Sequence, residues 1–417
     1  MSEMGNNVYR LEEICDIKSG KRIPKGMDYV TFKTNYPYIR ARDIKEGKIN
    51  TGDLIYLEEN VYKKIKRYII NTGDIAITIV GASVGDIGYA QESVDGYNLT
   101  ENAVRLTNFN ELVDSRFLYY MLVQRQYHDF MQLIAGAAAQ PKLGIYKVKR
   151  IKVVLPDVHI QKRIADVLSA YDRLIENNNK RIKLLEQMAE NLYKEWFVRF
   201  RFPGYEKAVF ENGIPSEWLN ENLSKFGINL ESGSRPKGGI DSSIGEGVPS
   251  LGAESIKGLA EFDYNNIRLI PKKFYKNLKR GKNKGNHILL YKDGAYIGKV
   301  TLFKYDFPFK EYSINEHVFF VNSVKHNYQN YLFFTLKQSA YFTLMQNLNR
   351  NAAQPGLSQE DIKKIKVLEP DNNTVKEFNC VIEPLLKKCF MLSKENQLLF
   401  KQRDMLLPRL MSGKLEV

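Results

Sequence analysis

His159 to Phe197 reads HIQKRIADVLSAYDRLIENNNKRIKLLEQMAENLYKEWF. Every seventh position from Ile164 forms a row, Ile164, Tyr171, Asn178, Leu185 and Leu192, and a second stripe follows Val167, Leu168, Leu174, Ile175, Met188 and Trp196. No Gly or Pro interrupts the stretch, so a helix over all of it reaches roughly 55 Å, longer than a domain helix usually runs. A helix apolar along one stripe and charged elsewhere needs a partner, because alone it leaves Leu, Ile and Trp in water. The same chain supplies one. From Phe378 the row is Phe378, Leu385, Leu392, Leu399 and Leu406, flanked by Val381, Ile382, Cys389 and Leu410. The two stretches are expected to form one intramolecular coiled coil.

The second helix belongs to a wider duplication. Ala138-Ala139-Gln140-Pro141 recurs as Ala352-Ala353-Gln354-Pro355, an offset of 352 − 138 = 214. The same offset carries Leu118, Gln124, Tyr127, Met131 and Gln132 onto Leu332, Gln338, Tyr341, Met345 and Gln346, and Ile151-Lys152-Val153 onto Ile365-Lys366-Val367. It also takes Pro156-Asp157 to Pro370-Asp371 and the Ile164 row to the Phe378 row. Upstream, small shifts bring Ser19-Gly20-Lys21-Arg22 to Ser232-Gly233-Ser234-Arg235. A colinear set of this kind marks an internal repeat of a whole domain with its helix.

The expected organisation is therefore a globular domain over 1–156, a central long helix and junction over 157–203, a second globular domain over 204–371, and a C-terminal long helix and tail over 372–417. Short alternating strands such as Asp74 to Val80 and Asn286 to Tyr291, with an amphipathic helix at Arg116 to Ile134 and another at Tyr331 to Leu348, make the class α+β. Two similar halves pack about a pseudo-two-fold axis, which runs the long helices antiparallel and puts the domains near opposite ends of a rod. Pro384 is expected to kink or restart the second helix. Asn178 reads as a register-fixing polar residue whose counterpart in the repeat is Leu392.

The formal charge of +14 and pI near 9.3 favour an acidic partner. Nucleic acid comes before membrane, because the N-terminus has no apolar run and no segment approaches a membrane span. A cytoplasmic protein is expected, with Cys15, Cys380 and Cys389 reduced. Rod-separated basic domains suit two short sites on one face of a duplex, about one turn apart. The DNA-contacting candidates in the first domain are Lys21, Arg22, Lys25, Arg40, Arg42, Lys63, Lys66 and Arg67, with Ser83 in a Gly-flanked loop and Gln140 and Lys142 at the Ala-Gln-Pro turn. In the second they are Ser234, Arg235, Lys237, Lys276, Lys279, Arg280, Tyr296, Lys299, Arg350 and Gln354. Lys runs are expected to hold phosphates, while Arg, Gln and Tyr read base edges.

Signals of catalysis are missing. Gly294 to Lys299 lacks one spacer residue and the Ser/Thr of a phosphate-binding loop, and the five histidines show no ligand spacing. The Pro-Asp pairs fall where the long helices begin, so helix capping explains them.

On the duplicated plan, the segment Leu155 to Phe200, the tail LLPRLMSGKLEV (Leu406 to Val417), the SGKRIPKG and SGSRPKGG openings and the AAQP turns, the chain resembles the specificity subunit of type I restriction-modification systems. The resemblance implies that each globular domain recognises one half of a split double-stranded DNA sequence and that the coiled coil sets the spacer. It further implies two modification subunits, carrying S-adenosylmethionine and methylating adenine, docked on this chain, with restriction subunits joining them. No cofactor, metal or catalytic site is expected in the chain itself. The alternative is a non-catalytic coiled-coil scaffold with only non-specific DNA binding; a self-sufficient methyltransferase lacks its glycine-rich cofactor loop.

Overall fold

A computed structural model describes residues 7–136, 140–237, 239, 245–348 and 356–416. Two compact units emerge, Met1–Arg173 with Phe400–Val417, and Leu174–Leu399, so the division runs through both long helices.

The buried, β-branched run Ile75–Thr78 lies inside an antiparallel four-stranded sheet of the first unit, ordered Asp16–Ser19, Ala103–Thr107, Ile75–Thr78, Ile87–Tyr89. The second unit repeats the order with Ile228–Ser232, Val318–Ser323, His287–Tyr291 and Val300–Phe303. A smaller sheet follows the same rule: Pro37–Ile39 lies between antiparallel Ile55–Tyr56 and parallel Asn98–Leu99, and Val248–Leu251 between Leu269–Ile270 and Ser313–Ile314. Each globular part is closed by a strand pair, Asn7–Arg10 with Lys152–Leu155 and Leu219–Asn222 with Lys366–Glu369. The duplication written in the sequence is thus a duplication of topology.

Three local expectations need correction. Each amphipathic helix near the end of a domain is two helices, Ser115–Leu122 then Arg125–Ala135, and Tyr328–Lys337 then Ser339–Leu348. The break falls at Gln124 and its match Gln338, both extended (φ −65°, ψ 145° and φ −63°, ψ 143°). Each glutamine amide donates to a carbonyl of the helix before it, Met121 O at 3.2 Å and Phe334 O at 2.9 Å. Each glutamine carbonyl accepts the first N–H groups of the helix after it, from Tyr127 and Tyr341 at 3.0 Å. One residue type therefore satisfies both helix ends, with no Gly or Pro needed. Second, the Ala-Gln-Pro turn, which reads as a turn before a strand, is followed first by a short helix, Ile145–Lys149, and only then by the strand Lys152–Leu155. Third, the C-terminal helix is continuous over Asn372–Met411 and does not restart at Pro384. Pro384 and Cys380, whose carbonyl the proline ring crowds, are both exposed, so that carbonyl is free to tilt toward water.

The first long helix spans Val158–Tyr193 and ends in a π turn, Lys194–Val198. Asp157 accepts from the His159 N–H at 2.8 Å, and Asp371 from those of Asn373 and Thr374, each at 2.9 Å, the capping role read for both Pro-Asp pairs. Burial opposes ionisation of Asp371, but bonds from Thr374, Trp218 and the backbone hold its carboxyl below the usual range.

Within the first unit, Ile164, Ala165 and Leu168 share a buried cluster with Leu410, and Leu406 packs at its margin. Tyr171 is half-buried. Asp172 accepts from the Tyr120 hydroxyl at 2.5 Å and from Arg403 at 2.6 Å, which joins the domain to both helices. Within the second unit the apolar seam is Ile182 and Ala189 with Trp196 against Val375, Phe378, Ile382, Cys389 and Leu392, Ile175 is also buried, and Leu185, Leu192, Leu385 and Leu399 are half-buried. Leu174 and Met188, read as part of the stripe, are 50% and 56% exposed, as is Val381 at 47%. The true second row keeps strict sevens, Leu168, Ile175, Ile182, Ala189 and Trp196.

Phe378 touches the rings of Trp196 and Phe197 at 5.8 and 4.9 Å between centroids. Phe378→Ala is expected to destabilise the second unit by about 3–5 kcal/mol, while Leu174→Ala stays within about 0.5 kcal/mol. Denaturant unfolding read by tryptophan fluorescence isolates this unit, since both tryptophans, Trp196 and Trp218, sit in its core.

In the second unit the long helices pair antiparallel. Asn178 Nδ2 donates to Asn396 Oδ1 at 3.0 Å, Asn396 Nδ2 donates to Asn179 Oδ1 at 2.8 Å, and Ile182 lies beside Cys389. The repeat counterpart of Asn178 is Leu392, but the residue facing it is a second asparagine. Asn178→Ala leaves Asn396 short of a partner in a buried seam and is expected to cost about 1–3 kcal/mol. The double change Asn178→Leu with Asn396→Leu is expected to be far milder than the sum of the single changes, which a double-mutant unfolding cycle measures.

Candidate nucleic-acid interface

In the first unit, strand register brings a set of loops to one end of the four-stranded sheet. Ser19 pairs with Val104 and Ala103 with Thr78, so the segments leaving Ser19 and Thr78 lie beside the one entering Ala103. A Cβ on Gly20 would stand 2.0 Å from the Thr100 carbonyl oxygen, so only glycine lets these backbones touch. The Lys21 N–H donates to Leu99 O at 2.8 Å, and Arg22 Nε donates to Glu101 Oε1 at 2.5 Å. From the other side, the Ile79 N–H donates to Asn102 O at 2.8 Å, Gly81 N–H to Pro141 O at 3.0 Å, and Val80 bridges Lys142. Lys21, Arg22, Ser83, Gln140 and Lys142 therefore share this end. Arg67 flanks it, since the Lys21 ammonium lies 5.6 Å from the ring of adjacent Tyr68.

The second unit builds the same end from different side chains. A Cβ on Gly233 would stand 1.7 Å from Ile314 O, and Arg235 Nε lies 2.7 Å from Glu316 Oε1. The Lys292 N–H donates to His317 O at 3.1 Å, and Asp293 bridges Gly356. Ser234, Arg235, Tyr296 and Lys299 gather here, and the Ile314 N–H bonds Gly281 O at 2.9 Å, which brings in Arg280. The hairpin tips are fixed alike, by Gln132 donating to Val84 O and its match Gln346 donating to Ile297 O. Tyr296 is 64% exposed, where the first unit has a half-buried Ser83.

Lys25, Lys66, Arg67, Gln140, Lys142, Lys237, Lys276, Lys279, Arg280 and Lys299 are all exposed. Three other candidates are engaged within their own unit: Arg40 holds Asp43 through two bonds of 2.9 and 2.8 Å, Arg42 pairs with Asp53 at 3.0 Å, and Lys63 pairs with Glu59 at 2.9 Å along a helix. Arg350 and Gln354 lie outside the described residues, as do Ala138, Ala139, Ala352 and Ala353. Glu101 and Glu316 are acidic and stand outside the basic candidates, yet both sit at these sheet ends. The signal was present in Thr100-Glu101-Asn102 and Asn315-Glu316-His317, at an offset of 316 − 101 = 215, one step from the main register. Among the described residues, no cluster of three or more His, Cys, Asp or Glu is placed to hold a metal, and no helix is long and apolar enough to cross a membrane.

A family profile described as the type I restriction modification DNA specificity domain matches residues 3–187. Over nearly the whole chain, the MjaIX specificity subunit of a type I restriction enzyme from Methanocaldococcus jannaschii is 27% identical, across 92% of this chain and 85% of the relative. A putative MjaX specificity subunit from the same organism is 24% identical, across 98% and 93%. Over residues 3–187 the chain matches the specificity-domain family, and over nearly its whole length it is similar to specificity subunits of type I restriction enzymes. A crystal structure of the type I S subunit from M. genitalium shares the fold, with a TM-score of 0.59 at 16% identity over 98% of this chain and 97% of that one. The profile reaches through the first domain and most of the first long helix. The whole-length specificity-subunit relatives extend the likeness over the second half, where the same strand order recurs.

Proposed function

We propose that this chain is the DNA-reading subunit of a type I restriction-modification complex and has no catalytic role of its own. The observation that carries this reading is the doubled sheet end: two units of one topology each present arginine, lysine and hairpin-tip residues on equivalent loops. A phosphate backbone attracts such ends, and differing side chains at matched places, Lys21 against Ser234 and Ser83 against Tyr296, give two different half-sites. The long helices act as an antiparallel coiled coil between the two globular domains, and its length sets the spacer. Two modification subunits dock on the repeated framework and bring S-adenosylmethionine, and restriction subunits join them, all in the cytoplasm. The DNA contacts are assigned to Lys21, Arg22, Arg67, Ser83, Gln140 and Lys142 in one unit and Ser234, Arg235, Arg280, Tyr296 and Lys299 in the other.

Selection from a randomised duplex pool by the assembled complex tests the reading. Two short, unlike blocks separated by a fixed gap are expected. Recovery of sequence-indifferent, salt-sensitive duplexes would instead favour the scaffold alternative.

A further inference from the structure

One ion pair recurs atom for atom at the two sheet ends although the residues around it differ. Arg22 Nε meets Glu101 Oε1 at 2.5 Å and Arg235 Nε meets Glu316 Oε1 at 2.7 Å. The arginines hold equivalent places, two residues beyond the glycines whose missing Cβ lets the arginine segment lie against the glutamate segment. Their side chains remain 78% and 54% exposed. Glu101 is further fixed by the Thr100 hydroxyl, which donates to its other oxygen at 3.2 Å. Glu316 is wedged beside His317, whose Nε2 lies 3.5 Å away.

The geometry is informative because of which nitrogen is used. A guanidinium holding a carboxylate to bury its charge does best with two parallel bonds, as Arg40 does with Asp43. At Arg22 the carboxylate takes Nε, which leaves the terminal Nη groups and their N–H donors available on a side chain that is 78% exposed at the loop end. That fork matches the paired O6 and N7 acceptors of guanine in the major groove. A free arginine on a loop pays rotamer entropy to present such a fork; one already pinned through Nε pays less.

We infer that Arg22 and Arg235 are the guanine-reading residues of the two half-sites, one in each unit, and that Glu101 and Glu316 are positioning residues that aim them. The assignment rests on the DNA-recognition reading and deepens it. Burial opposes ionisation of Glu101, yet the bonds from Arg22, the backbone and Thr100 bring its pKa below the usual value. The pair therefore stays charged on both sides through the neutral range.

The test uses the full complex and reads methylated sequences from a randomised pool for the wild type, Arg22→Ala, Arg22→Lys, Glu101→Ala, Glu101→Asp, Arg235→Ala and Glu316→Ala. Arg22→Ala and Glu101→Ala are expected to relax the same one position, a G·C pair, in one half-site by about tenfold or more, with the other half-site and the spacer unchanged. Glu101→Asp restores part of the preference, and Arg22→Lys does not. Arg235→Ala and Glu316→Ala do the same at one position of the other half-site. Retained methylation at relaxed sites excludes simple unfolding, which abolishes methylation everywhere. A uniform drop in affinity with an unchanged sequence profile would place the arginines on phosphates and overturn the inference. So would an unchanged profile in every variant, while the two-block site itself persists and the DNA-recognition reading stands. A wild-type complex with no sequence preference removes that reading, and this one with it.

Discussion

Replacing residues 7–156 with the corresponding domain of another specificity subunit is expected to change one half-site completely and leave the other intact. The boundaries follow from hydrogen bonding. Asn7–Arg10 pairs with Lys152–Leu155 over four residues, so the exchanged segment enters and leaves through one closed strand pair, and Asp157 caps the helix just beyond it. The core carried with it is largely its own, since Ile75, Ile77, Val104, Leu106, Phe117 and Leu118 pack together beneath the sheet. The incoming domain has to supply partners for Ile164, Leu168 and Asp172, and a hydroxyl at the place of Tyr120 is the most sensitive of these. Each mismatched base pair typically costs about 1–3 kcal/mol. Replacing a block of three or four specified bases therefore shifts preference between old and new sites by a factor on the order of a thousand or more. Methylation of duplexes carrying either block measures it; a change in both blocks contradicts independent reading by the two units.

The second large effect concerns length. A heptad inserted after Leu185, matched by one in the C-terminal long helix, is expected to lengthen the preferred spacer while both half-sites stay as they were. Seven residues add about 10 Å of helix, up to about three base pairs at 3.4 Å each. The antiparallel pairing sets a condition that the sequence did not reveal. Ile182 lies beside Cys389 on one side of the insertion point and Trp196 beside Phe378 on the other, so a heptad added to one helix alone puts one of these pairs out of register. A matching heptad after Leu386 keeps both the strict-seven row and the asparagine pair. The single insertion is expected to lose most methylation, and the paired insertion to recover it on duplexes with a longer gap. Recovery on the original spacer would mean that the helices do not set the distance.

What was legible in the sequence was periodicity and duplication. The seven-residue rows are long, and the 214 offset runs through them into each domain, so chance matches could not imitate the pattern. The aspartate caps were legible because a cap needs one residue type at one place. The helix breaks at Gln124 and Gln338 were not, because glutamine ordinarily favours helix and here ends one only through bonds that its amide makes in three dimensions. Met188 is larger and more apolar than Ala189 and reads as the seam residue by size, and Leu174 matches Ile182 in size, yet the seam follows the strict spacing of seven that selects Ile182 and Ala189. The polar seam residues Asn396 and Arg403 were invisible to a search for apolar rows, yet they make the bonds that set register and join the helices to the first domain.

For the site, the Ser-Gly-x-Arg openings and hairpin tips were readable as repeats. A count of basic residues could not separate Arg40, spent on Asp43, from Arg22, exposed at the loop end. Asp43 stands three residues from Arg40, but a basic side chain's partner can also lie far off, as Glu101 does from Arg22. Where both copies of the repeat keep a residue of one charge opposite one of the other, the pairing becomes readable, as with Glu101 and Glu316.

The most direct measurement is a genome-wide map of methylated adenines in cells carrying the modification and restriction subunits, with and without this chain. With the chain present, methylation at every instance of one asymmetric two-block sequence with a constant gap is predicted, and it disappears when the chain is removed. Methylation that persists without the chain, or that follows a single uninterrupted block, would contradict the account.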